Sequence, residues 1–130
     1  MDFELSEPEK MYQESLRNFL KKEYAPVVDK RDAKGPLTRE EAIDVMKKFK
    51  QLGIGLGPET ARGFVGSPMI FGIFAEEVGR VWPSLLPLFG MGALPAIYAP
   101  LASDKVKSRL FPRLEVAEFI GCFAETEPEA

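Results

Sequence analysis

Two capping boxes, each followed by apolar residues at helical spacing, commit this chain to helices. Ser6 and Glu9 form the first S-x-x-E box, with Pro8 tolerated in the opening turn. In such a box the hydroxyl and the carboxylate satisfy backbone N–H groups that the first turn leaves without partners. Glu7 and Glu9 sit at the positive end of the helix dipole, and Lys21 and Lys22 near its negative end. Tyr12, Leu16, Phe19, Leu20 and Tyr24 mark one apolar stripe, and the helix is predicted to break before Pro26. A short turn at Val27 and Val28 and a loop from Asp32 to Pro36 follow. Thr38 and Glu41 form the second box. Ala42, Val45, Met46, Phe49 and Leu52 then share one face, with Lys47, Lys48 and Lys50 solvated and Gly53 as the C-cap.

A third helix opens at Ser67 with Pro68 at its first position. Met69, Ile70, Ile73, Phe74 and Val78 form its apolar face, Glu76, Glu77 and Arg80 its polar one, and Trp82-Pro83 should end it. From Val81 to Ala102 the chain carries no charge, and that length alone could cross a bilayer. Pro83, Pro87, Pro95 and Pro100, with Gly90 and Gly92, argue against a membrane span, because a lone helix could not re-satisfy the backbone groups they free. The expectation is a buried central helix kinked near Pro95. Ser103 and Asp104 open a last helix, carrying Val106, Leu110 and Phe111 and ending near Pro112 and Leu114. The run Phe119 to Ala124 is apolar and rich in strand formers. The predicted fold is all-α, a multihelical up-and-down bundle with a short terminal β segment. Residues 1–117 form the helical domain. Residues 118–130 open a β-domain, since a strand cannot stand alone.

Composition removes most chemistry. The 130 residues fit one domain and include no histidine, which excludes a Ser-His-Asp triad and an HExxH zinc site within the chain. No metal ligand set is expected. The single cysteine, Cys122, permits no internal disulfide and reads as a small buried hydrophobe, consistent with a reducing, cytoplasmic setting. A net charge of −3 argues against nucleic acid, whose phosphates need a basic face. The acidic start Met1-Asp2-Phe3-Glu4 lacks the basic region of a signal or transit peptide. Gly53 to Pro58 alternates glycines after a helix and lacks Gly-Lys-Ser/Thr, so it reads as a connecting loop rather than a phosphate cradle. Glu125, Glu127 and Glu129 read as a solvated terminus rather than a paired-carboxylate site.

The terminal residues Gly121 to Ala130, with Thr126-Glu127-Pro128-Glu129-Ala130 at their core, resemble the T-E-P-x-A signature that begins the middle domain of acyl-CoA dehydrogenases. Leu110-Phe111-Pro112-Arg113-Leu114 followed by Glu118, the Glu76-Glu77 to Pro83-Ser84 stretch, and Phe3 to Phe19 with Pro36-Leu37-Thr38 are similar to family segments upstream of it. The resemblance implies the N-terminal helical domain of a three-domain flavoprotein. Such a parent binds FAD, oxidises an acyl-CoA to a trans-2-enoyl-CoA, passes electrons to an electron-transfer flavoprotein and assembles as a homotetramer. It places Phe123, Glu125 and Thr126 at the flavin, and Gly90, Leu94 and Tyr98 along the acyl pocket. It places no catalytic residue in this chain, because the family's glutamate base lies further on. The fragment alone is therefore expected to be inactive, with weak or no FAD binding. Three departures stand out: Glu125 where the family has an apolar residue, Ala117 in place of a turn glycine, and no Y-G-G after Pro58-Glu59. The alternative reading is a truncated, non-catalytic helical assembly module.

Overall fold

The computed structural model describes residues 4–55, 67–92, 101–118 and 120–121. Among them the chain forms α1 (Glu7–Glu23), α2 (Val28–Asp32), α3 (Arg39–Lys50), α4 (Pro68–Val81), a 3-10 turn at Pro83–Leu85, α5 (Leu86–Gly92) and α6 (Asp104–Glu115).

The helix starts are those the capping residues predict. The Glu9 carboxylate accepts from the Ser6 backbone N–H and from its hydroxyl, both at 2.7 Å. Thr38 Oγ1 accepts from the Glu41 N–H at 3.3 Å while Glu41 Oε2 accepts from the Thr38 N–H at 2.8 Å. Ser67 and Ser103 accept from the N–H groups of Ile70 and Val106, each at 3.4 Å. Arg31 adds a brace that the sequence does not announce. Its guanidinium donates to the carbonyls of Gly35 and Pro36 and to Glu41, so the loop between α2 and α3 is tied to the second capping box.

Two helices end in one motif. Gly53 sits at φ 74°, the Gly53 N–H donates to Lys50 O at 2.9 Å, and the Ile54 N–H reaches back to Phe49 O at 3.2 Å. This is a Schellman cap, in which a left-handed residue turns the chain so that two orphan carbonyls find donors. At the end of α6 the pattern recurs with Ala117 at φ 53°. There the Ala117 N–H donates to Leu114 O at 3.0 Å and the Glu118 N–H to Arg113 O at 2.9 Å. Glycine enters the left-handed region without penalty, whereas alanine carries a Cβ into it.

Successive long helices alternate in direction. The Phe49 and Lys48 end of α3 meets the Phe19 to Tyr24 end of α1, and Leu52 shares a hollow with Tyr12 and Leu16, so α3 runs antiparallel to α1. α4 runs back parallel to α1, with Glu77 on Arg17 and Trp82 beside Tyr24. α5 descends along α4: Leu86 faces Gly79, and the Phe89 ring lies 5.1 Å from Phe74. Phe49 is fully buried at the centre. Its ring meets Phe19, Tyr24, Phe74 and Phe89 at centroid separations of 5.1, 5.7, 5.9 and 4.7 Å. Separations in this range combine large apolar burial with favourable ring geometry.

The uncharged stretch departs from expectation in its first half. It does not begin as one central helix. Trp82 leaves α4 at φ −150° because Pro83 disfavours the α conformation before it, and a 3-10 turn intervenes before α5 starts. Trp82, Leu85 and Phe89 are buried, but Pro83, Ser84 and Pro87 face solvent, and Leu101 at the far end is 83% exposed. An absence of charge was therefore not a measure of burial. Pro95, where the kink was expected, lies outside the described residues, as do Phe119 and 122–124 of the expected strand. Pro112 sits inside α6 on its exposed side, and the helix continues to Glu115. No described helix is long and apolar enough to cross a membrane.

Candidate functional site

Of the residues that the resemblance places at a site, Leu94, Tyr98, Phe123, Glu125 and Thr126 lie outside the described residues. Gly90 is described. It occupies the last turn of α5, next to buried Phe89, and a Cβ built on it would meet no atom within 4 Å.

The second approach to the candidate site is the end of α6, from which the chain runs on to residues 120–121. Leu114 and Ala117 anchor this end in the core, and Ile120 packs against the same cluster. Glu118 is held from two directions. Arg113 donates to its carboxylate at 2.9 Å, and Arg39 of α3 donates to its backbone carbonyl at 3.3 Å. Its carboxyl is held below the usual range, chiefly by the Arg113 hydrogen bond, with the Arg39 charge adding to it. Lys50, also from α3, donates to the carbonyl of Glu115.

Elsewhere, among the described residues, hollows open on the surface. One of about 570 Å³ has Tyr24, Val27, Leu37 and Trp82 in its wall, a second of about 560 Å³ lies on the other side of Leu37 and Trp82, and a third of about 320 Å³ lies beside Tyr12 and Leu52. Gly90 lines none of these three. Among the described residues no group of three or more acidic or cysteine side chains is placed to hold a metal ion.

The charged feature that sequence reasoning missed is Glu77. Expected on a polar face, it is 2% exposed, and Arg17 grips it through both carboxylate oxygens. The signal was present in the spacing: Glu77 lies four residues after Ile73 and three after Phe74, on the buried side of α4. Its neighbour Glu76 is the solvated one and pairs with Arg80. The Glu77 pair is internal to the bundle, between α1 and α4, and serves the packing of those helices.

The architecture and the exit of α6 are matched by a family model described as "Acyl-CoA dehydrogenase, N-terminal domain" over residues 6–118, from the cap of α1 to the clasped glutamate after α6. The chain belongs to the acyl-CoA dehydrogenase family. A protein named glutaryl-CoA dehydrogenase from Desulfococcus multivorans is 32% identical over 133 aligned residues, covering 100% of this chain and 34% of the relative. One named probable acyl-CoA dehydrogenase YngJ, from Bacillus subtilis (strain 168), is 30% identical over 136, again covering 100% of this chain and 34% of the relative. The chain thus spans about a third of the length of the curated acyl-CoA dehydrogenases it matches. No solved structure matches it significantly. Within this acyl-CoA dehydrogenase N-terminal domain, Ala117 stands at a left-handed position where the sequence resemblance pointed to a missing glycine, which explains why a glycine suits that place.

Proposed function

We propose that this chain is the N-terminal part of an FAD-dependent acyl-CoA dehydrogenase that oxidises an acyl-CoA thioester to a trans-2-enoyl-CoA. The observation that carries the reading is the continuous family match from residue 6 to residue 118, on a chain that folds as an up-and-down helical bundle. Residues 1–117 would form the helical domain and 118–130 the opening of the middle β-domain. In this division the helical domain supplies one wall of the acyl and flavin site, with Gly90, Leu94 and Tyr98 along the acyl chain. The open space beside Gly90 is consistent with a thin apolar ligand.

The donor chemistry toward FAD is a fit at two of the three residues assigned to it. Thr126 offers a hydroxyl that both donates and accepts hydrogen bonds, and Phe123 offers an apolar ring face. Bound flavin supplies the hydride acceptor. Glu125 is the departure among the three: its carboxylate would repel negative charge that builds on a reduced ring. Electrons would leave to an electron-transfer flavoprotein, and the full-length protein would assemble as a homotetramer.

The test is direct. The full-length protein should show a flavin absorption spectrum that bleaches on anaerobic addition of an acyl-CoA. The 130-residue chain should form no enoyl-CoA and retain little or no FAD. A colourless full-length protein, unreactive after FAD is supplied, would overturn the reading.

A further inference from the structure

The last helix is held by its final turn. Within α6 only Leu114 is fully buried, while Val106 is 36% and Val116 just beyond the helix 55% exposed. A helix end leaves carbonyls without intrahelical partners and carries a partial negative charge. At the end of α6 two cations of α3 hold the chain: Lys50 donates to the helix-end carbonyl of Glu115, and Arg39 to the carbonyl of Glu118, three residues beyond the helix, at 3.3 Å. These two residues stand at opposite ends of α3, so α3 spans the terminal turn of α6. Between the two grips lies Ala117, the left-handed residue whose conformation sets the direction of the outgoing chain. Arg113 holds the Glu118 side chain at 2.9 Å from the same turn, leaving the Glu118 carbonyl to Arg39.

We propose that Lys50 and Arg39 are positioning residues for the flavin-contacting segment: they clasp the last turn of α6 and thereby fix the point from which the chain runs on to Phe123 and Thr126. The clasp is a property of the geometry above, and its consequence for flavin rests on the function proposed for this chain. An alanine at the turn makes the clasp more important. Where glycine would settle into the left-handed conformation unaided, Ala117 must be held there by its surroundings.

The experiment has two readouts on the same variants, Lys50→Met, Arg39→Met and the conservative Lys50→Arg. In the 130-residue chain, amide hydrogen exchange at Ala117 and Glu118, whose N–H groups close the cap, should accelerate about tenfold in each Met variant, the scale of one lost charge-assisted hydrogen bond. Exchange in α1 and α4 should stay unchanged, and Lys50→Arg should restore most of the protection. In the full-length protein the same Met variants should bind FAD about tenfold more weakly and shift the shape of the visible flavin band, with Lys50→Arg close to the parent. Exchange that is unaltered by either Met variant would overturn the clasp. Accelerated exchange with an unaltered flavin band and FAD affinity would overturn the positioning role. A full-length protein that binds no flavin would instead sink the function on which that role rests, whatever the exchange result.

Discussion

The Arg17 guanidinium grips the Glu77 carboxylate through two hydrogen bonds, 2.9 Å from Nε to Oε2 and 2.6 Å from Nη2 to Oε1. The pair is asymmetric. The Glu77 side chain is 3% exposed and that of Arg17 is 52% exposed, so the desolvation cost falls on the carboxylate. Fork-to-fork geometry is what makes such a burial tolerable, because both oxygens keep charged donors.

Removing the arginine should therefore cost more than removing the pair. Arg17→Met leaves a buried, uncompensated carboxylate and is expected to destabilise the bundle by about 2 kcal/mol, less than a fully buried pair would lose because water reaches the Arg17 side. The double variant Arg17→Met/Glu77→Leu should recover most of this loss. Urea denaturation of the two variants and the parent measures it, and a double variant less stable than Arg17→Met would refute the account.

Stability should be flat near neutrality and fall at both extremes of pH. The chain has no histidine to titrate there. Glu77 is held below its ordinary value, first by the Arg17 hydrogen bond and against the opposing effect of burial, and Glu9, Glu41 and Glu118 are lowered by their own hydrogen bonds. A lowered folded-state pKa contributes stability that is complete above the unfolded value, about 4.3 for glutamate, and lost as pH falls through the folded one. At the alkaline end burial pushes Tyr12 up to about 12 and raises Tyr24 further. The unfolded chain then ionises first, above about 10, and stability declines from there. Thermal melting from pH 3 to 11 checks this, and Glu77→Gln should weaken the acid limb. An acid limb identical in that variant would remove Glu77 from the explanation.

Phe49→Ala should be the most damaging single truncation among the aromatic residues. Phe49 is fully buried and its ring meets four others from three helices: Phe19 and the C-cap Tyr24 of α1, Phe74 of α4 and Phe89 of α5. A Phe to Ala change at such a site costs about 3–5 kcal/mol, a large share of a total of about 5–15 kcal/mol. Phe19→Ala, at a half-buried ring on the rim of the cluster, should cost visibly less by the same denaturation assay.

The two Schellman caps should respond unequally to exchange of their left-handed residues. Gly53→Ala meets no atom within 4 Å, so its penalty is conformational alone, about 1 kcal/mol. Ala117→Gly relieves a similar strain but gives up a buried methyl worth about 0.8 kcal/mol and loosens the unfolded chain, so the net change should stay within about 1 kcal/mol. Ala117→Val, which puts a branched Cβ into the left-handed region at a buried site, should destabilise clearly more than either. Circular-dichroism melts of the three variants decide it.

Much of this was legible in the chain itself. Ser6, Thr38, Ser67 and Ser103 announce helix starts because a cap is a transaction among four consecutive residues. The stripe from Tyr12 to Tyr24 and the face from Ala42 to Leu52 announce which sides turn inward, because helical periodicity is local too. The family was legible for the same reason: a motif is a short run of letters, and the acyl-CoA dehydrogenase N-terminal domain it suggested is matched over residues 6–118. Gly90 was legible as a residue without bulk, though the open space beside it depends on what α5 packs against.

What tertiary structure alone decided were matters of partnership across long separations. Spacing puts Glu77 rather than Glu76 on the inner side of α4, but that Arg17 of α1 answers its carboxylate was decided by the packing of α1 on α4. The stretch from Val81 to Ala102 holds no charge, yet Pro83 and Pro87 face water, because the helical turns there point Trp82, Leu85 and Phe89 into the core instead. Lys50 reads as an ordinary solvated cation until α6 ends beside it. Local sequence determines what a segment prefers to be; which of its polar groups must be answered, and by whom, is set by the neighbours that folding brings within reach of a hydrogen bond.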